Sequence, residues 1–240
     1  MQTQKLFQHL LLLSFLIVLP QQTSAQAVLA LFFGDKIQSD KVSVGLYFAG
    51  QSSYITNTDD SKNSLGLAIG AYTDIKLGES NKWMITNFMS FKCPKGMKDI
   101  PLNYQVIENA DYPADSRIER KLTYFEIVPL LRYKFTPSLS IAAGPQFGVR
   151  IKAKDLYIDE REDGSTSTVE YKTKDYFTRF DAGLAADLQY VLEKGEGIHF
   201  NFRFCSGLTN IYKSNVPFTG HNQYFHFGVG VPIGGSKKPK

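Results

Sequence analysis

The sequence predicts an all-β fold: an eight-stranded antiparallel transmembrane β-barrel with short periplasmic turns and long extracellular loops. Three observations carry this. Period-2 alternation of apolar and polar residues dominates the chain, the alternating runs are long, and the links between them alternate strictly between short and long.

The N-terminus comes first. Residues 1–25 read as a cleaved export signal, with Lys5 as the positive region and the apolar run 10–19 ended by Pro20. Small residues at Thr23-Ser24-Ala25, or at Ala25-Gln26-Ala27, suit cleavage. Residues 26–40 then form an N-terminal segment, 41–233 the barrel and 234–240 a polar tail. The expected location is the cell outer membrane.

The strands follow in order. Val42, Val44, Leu46 and Phe48 oppose Ser43, Gly45 and Tyr47. Leu65, Leu67, Ile69, Ala71 and Ile75 oppose Gly66, Ala68, Gly70, Tyr72, Asp74 and Lys76. Residues 83–91 are the least regular, because Asn87 interrupts their apolar face. In 121–135, Phe125, Ile127, Leu131 and Tyr133 oppose Glu126 and Arg132. The clearest run is 138–153. Leu139, Ile141, Ala143, Pro145, Phe147, Val149 and Ile151 share one face, and Gln146, Arg150 and Lys152 lie on the other. A helix would scatter both sets, whereas a strand separates them. In 176–192, Arg179, Asp181, Gly183, Asp187 and Gln189 form the polar face. Phe200, Phe202 and Phe204 oppose His199, Asn201, Arg203 and Cys205, and Phe225, Phe227, Val229 and Val231 oppose Tyr224, His226, Gly228 and Gly230.

The seven links between these strands measure 9, 4, 28, 2, 21, 5 and 13 residues. A soluble barrel has the same alternation along each strand but no reason to gather its long loops at one end. The polar face also favours the membrane reading. It mixes small residues with Asp74, Lys76, Glu126, Arg132, Arg150, Lys152, Arg179, Asp181, Asp187 and Arg203, a set suited to a lumen charge network in which acids and bases pair. Eight strands leave an interior that side chains can fill, so a closed lumen is expected.

Composition agrees. After residue 25 no apolar run is long enough for a spanning helix, while a mean hydropathy of −0.20 is compatible with a barrel whose interior is polar. A net charge of +4, dispersed along the chain, points away from nucleic acid. The 18 Phe and 13 Tyr against a single Trp fit lipid-facing walls and aromatic girdles.

Several short runs carry a family resemblance. Phe33-Gly34-Asp35-Lys36, Tyr124-Phe125-Glu126-Ile127-Val128-Pro129-Leu130-Leu131 and Gly144-Pro145-Gln146-Phe147-Gly148 resemble the PorT-type outer-membrane β-barrel family. The resemblance implies an outer-membrane barrel of this size. It also implies an accessory part in protein secretion, the role associated with the family's named member. The chain departs from the usual aromatic end of such barrels, since Phe227-Gly228-Val229-Gly230-Val231-Pro232-Ile233 is followed by a polar tail.

Sites of chemistry are sparse, and the chain is not expected to be an enzyme. No Gly-x-Ser-x-Gly elbow and no His-Glu-x-x-His pair occurs. Of His199, His221 and His226, only His221 falls in an outer loop, near Ser214 and Thr219. The run Asp159-Glu160-Arg161-Glu162-Asp163-Gly164 lacks EF-hand spacing and reads as a solvated acidic turn. No cofactor or metal is expected. Cys93 is placed at the top of the third strand and Cys205 inside the seventh, on opposite walls, so both are expected free. The expected partners are outer-membrane lipid and envelope or secretion-machinery proteins. The function expected is a structural, binding or secretion-accessory component of the envelope. The alternatives are a narrow transport channel or a lipid-modifying enzyme sited in the outer loops.

Overall fold

A computed structural model describes residues 41–80, 82–108, 110–160, 163–192 and 197–233. The export signal, the 26–40 segment and the 234–240 tail expected from the sequence lie outside the described residues.

Among the described residues nine antiparallel strands are present: β1 (Val42–Ile55), β2 (Lys62–Leu77), β3 (Trp83–Ile100), β4 (Arg117–Lys134), β5 (Leu139–Glu160), β6 (Thr166–Lys172), β7 (Phe180–Val191), β8 (His199–Gly207) and β9 (Asn222–Pro232). Eight close a ring in the order β1-β2-β3-β4-β5-β7-β8-β9. The closing pair runs from Gly45↔Pro232 to Ile55↔Asn222. β6 stands outside the ring, pairing only with the upper end of β5 from Lys154↔Lys172 to Glu160↔Thr166. The alternating pattern of the sequence sets the walls: Phe48, Leu67, Leu131, Phe147, Leu184, Phe202 and Phe227 are exposed, while Gln51, Arg132, Asp187 and Arg203 are buried. Such an inside-out distribution is what a hydrocarbon surround selects. No helix among the described residues is long and apolar enough to cross a membrane, which says nothing of strands.

Three strands run further than the sequence pattern suggested. β3 continues to Ile100, β4 begins at Arg117 and β5 continues to Glu160, so much of the expected 93–120 and 154–174 loops is sheet. On β3 and β5 the pattern is hidden by one bulge in each, while β4 keeps its inward parity from Ile118 to Arg132. Between Ser90↔Glu126 and Cys93↔Tyr124, β3 carries one more residue than β4. Between Tyr124↔Arg150 and Thr123↔Lys152, β5 does the same. An extra residue reverses which parity faces inward. Below the bulges Met84, Thr86, Phe88 and Ser90 of β3 are buried; above them Cys93, Lys95 and Met97 are. On β5, Ala142 and Gln146 give way to Ala153, Asp155 and Tyr157. Strict alternation is thus lost midway, and the upper halves look like loops.

Two buried apolar clusters result. One lies inside the ring and includes Tyr47, Ala68, Tyr72, Phe88, Val128, Leu130 and Tyr224. The other caps the long-loop end, where Ile55, Ile100, Ile118, Tyr157, Phe177, Ile211 and Tyr212 bury one another. A 3-10 turn, Leu102–Tyr104, lies in the loop between β3 and β4. The lumen is tight enough to require glycine at Gly230, where a Cβ would stand 1.7 Å from His199 Nε2.

Candidate functional site

The polar side chains gather in three layers along the barrel axis. Nearest the short turns, Arg132 of β4 meets Asp187 of β7, with NH2 to Oδ1 at 2.6 Å. Its Nε donates to Thr86 at 2.9 Å and its NH1 to Ser140 at 3.1 Å. Thr86 in turn donates to Asp74 Oδ1 at 2.6 Å. The second oxygen of Asp187 accepts from Arg203 Nε at 3.1 Å and Asn201 Nδ2 at 3.0 Å. The Arg203 guanidinium lies 3.8 Å from the centre of the Phe88 ring. One carboxylate therefore joins β4, β7 and β8 across the lumen.

The middle layer is centred on Lys95 of β3. Its ammonium lies 2.7 Å from Glu126 on β4 and 2.9 Å from Asp181 on β7. The Tyr124 and Tyr224 rings flank it at 4.8 and 4.7 Å. Gln146 and Tyr224 donate to Glu126, and Asn222 and Thr209 to Asp181. Lys95 and Arg132 each have fully buried side chains. Charges taken out of water this completely are tolerated only when paired and hydrogen-bonded, and both layers meet that condition.

The outer layer is the cap. Arg120 of β4 clasps Asp155 of β5, with Nε at 3.1 and 3.2 Å from the two oxygens and NH2 at 2.7 Å from Oδ2. Its remaining donors reach two loops, the Tyr212 hydroxyl at 2.7 Å and the Tyr104 carbonyl at 3.1 Å. The ring of Phe177 lies 5.2 Å from the guanidinium carbon. Burial pushes the Tyr212 phenol above its usual pKa range, so it stays a neutral partner for the cation. One arginine thereby fastens the 101–116 and 208–221 loops to the wall.

Of the residues singled out from the sequence, Glu126, Arg132, Asp181, Asp187 and Arg203 are buried in these layers, and Asp74 touches the lowest. Lys76 is half-buried on β2. Arg150 is half-buried too, and its guanidinium serves the carbonyls of Thr178, Lys174 and Phe177. Lys152 and Arg179 are corrections. Lys152 is exposed because the β5 bulge turns it outward. Arg179 is exposed because it precedes β7, where the chain leaves the ladder to pair Phe177 with Tyr212. Lys95, Arg120 and Asp155 were missed, since all three fell in expected loops. A signal for Arg120 and Asp155 did exist: each lies between apolar residues of its own parity, Ile118 and Leu122 for one, Ala153 and Tyr157 for the other.

The remaining candidates sit apart from these layers. Cys93 lies within β3 rather than at its top, and both it and Cys205 are buried free thiols. His199 packs on Tyr72 with ring centres 4.4 Å apart, and His226 is buried beside Tyr47. His221 Nδ1 is 3.0 Å from the Thr209 carbonyl, and its backbone N–H donates to Thr56, while Ser214 and Thr219 are exposed and the Thr219 hydroxyl accepts from Asn57 at 3.4 Å. The acidic run falls at the tip of the β5–β6 hairpin, with 161–162 outside the described residues. There Asp163 is held below its usual pKa by hydrogen bonds from Ser165. Among the described residues no group of three or more potential metal ligands occurs.

No curated protein matches the chain. Among solved structures, it is similar to Ail, the attachment invasion locus protein of Yersinia pestis, in complex with the heparin analogue sucrose octasulfate. That likeness has 10% identity and a TM-score of 0.42, over 80% of this chain and 98% of that one. Neisserial surface protein A shows 12% identity and a TM-score of 0.37, over 80% and 97%. OprG from Pseudomonas aeruginosa shows 13% identity and a TM-score of 0.33, over 82% and 99%. The family model described as an outer membrane protein beta-barrel domain matches residues 24–213. With the ring, its apolar outer wall and its charged interior, that match settles the assignment: the chain belongs to the outer membrane protein beta-barrel domain family and resides in the outer membrane.

Proposed function

We propose that this protein is a non-conducting, non-enzymatic barrel that serves the envelope as a structural, binding or secretion-accessory component. One observation carries the reading: two ion-pair layers and an arginine-fastened cap span the lumen with side chains that are essentially unexposed. A pathway for solutes would have to break pairs whose separation inside a barrel is costly. The outward-projecting ends of β3 to β6 then supply the working surface, as loops and extensions on a rigid scaffold commonly do. The resemblance of the 124–131 and 144–148 runs to the PorT-type family supports secretion as the process served. Residues 1–25 act as the export signal and are removed, leaving 26–40 ahead of the barrel and 234–240 behind it.

Planar bilayer recording tests this. The purified barrel gives no discrete conductance steps, whereas unitary steps that scale with salt concentration would establish the transport-channel reading. Cross-linking in the native envelope followed by mass spectrometry identifies the partner, with secretion-machinery subunits as the expected products.

A further inference from the structure

On the outer face above the lipid belt, the register brings like charges together. Lys121 of β4 lies directly opposite Lys154 of β5, and Lys154 lies directly opposite Lys172 of β6. Lys152, turned outward by the bulge, stands one step lower beside Thr123. Directly opposed like charges destabilise a sheet unless something neutralises them. The neutralisation here is partial. Glu119 is 2.9 Å from Lys121 and Glu170 is 2.7 Å from Lys154. Among the described residues no acid pairs with Lys152 or Lys172.

The position of the row matters as much as its charge. Exposed Phe91, Phe147, Ile151 and Phe180 mark the top of the lipid belt on this wall. Ile151 immediately precedes Lys152. Lys121 lies four residues above Phe125, roughly 13 Å along the strand. The ammonium groups therefore stand at headgroup height on the long-loop side, which faces the outer leaflet. Lysine is a compact charge well suited to phosphate, and basic side chains just beyond the hydrocarbon gain most from anionic headgroups.

We propose that Lys121, Lys152, Lys154 and Lys172 form a binding site for the phosphate groups of an anionic, phosphorylated glycolipid of the outer leaflet, whose acyl chains lie against the aromatic wall below. The inference rests on the outer-membrane location and the register, and is independent of whether the lumen conducts or the protein serves secretion.

The full chain in mild detergent is titrated with diphosphoryl lipid A and, separately, with its dephosphorylated form, and bound lipid is counted by native mass spectrometry. The phosphorylated form binds about tenfold more tightly. Equal binding of the two overturns the proposal without reference to any variant. Lys152→Gln/Lys172→Gln removes only the two lysines that lack an acid, leaves both ion pairs intact and reduces the preference severalfold. Lys152→Arg/Lys172→Arg keeps it. Inorganic phosphate at a hundredfold excess leaves the lipid bound, whereas displacement would mean a site for free anions and overturn the assignment to lipid. Heat-modifiable migration, unchanged in each variant, shows that the barrel is intact.

Discussion

Arg120 carries more of the cap than any other side chain. It meets a fully buried carboxylate, a phenol and a carbonyl contributed by β5 and two separate loops. Arg120→Leu strands Asp155 without a partner, a situation that costs about 3–5 kcal/mol. Arg120→Leu/Asp155→Leu removes the stranded charge and recovers much of that loss. Limited proteolysis reads the outcome: the single variant is cut rapidly in 101–116 and 208–221, and the double variant more slowly. Equal cutting of both would show that the stranded carboxylate is not the source of the loss.

At the scale of elements, the two bulges explain both what the sequence disclosed and what it concealed. Below them, alternation is strict, and the expected strands 65–77, 83–91, 121–135 and 138–153 lie within or close to β2, β3, β4 and β5. Above them, parity reverses without a glycine or proline at the extra residue, at Phe91–Lys92 on one strand and Ile151 on the other. Lys152 was therefore expected inside and is outside, while Lys95 and Asp155 were read as loop residues and are buried. The ninth strand was hidden for a related reason. Thr166–Lys172 is only seven residues long, and its cap-facing side carries just two apolar residues, Val169 and Tyr171, too brief an alternation to stand out from a loop. Which carboxylate meets which base depends on register between strands, and a single sequence does not encode that in its periodicity. Cysteine labelling checks the parity. A membrane-impermeant maleimide modifies Lys152→Cys on the folded barrel but not Ala153→Cys, and native Cys93 and Cys205 react only after denaturation. Labelling of Ala153→Cys with protection at 152 would place the β5 bulge elsewhere.

For the molecule as a whole, barrel and cap are distinct in construction. The ring is held by ladders that run from Leu139↔Tyr190 around to Gly45↔Pro232, and its interior by the two lower ion-pair layers. The β5–β6 hairpin reaches beyond both: its β5 arm ends the β4 ladder at Arg117↔Ile158, Tyr157 belongs to the cap cluster, and Val169 and Tyr171 pack against it. Replacing residues 157–170 with a two-residue Asn-Gly turn leaves membrane insertion and heat-modifiable migration intact, while the outer loops become protease-sensitive. Loss of insertion would mean that the hairpin is needed to build the ring.

The pairing of the first ring strand with the last has a temporal consequence. β1 gains its second neighbour only when Asn222–Pro232 has been made, so a nascent or truncated chain offers two raw sheet edges, on β1 and on β8. In hydrocarbon those edges have no water to satisfy them, and outside it they invite pairing with other chains. Closure is thus all or nothing, and until it occurs the protein needs an escort that occupies strand edges.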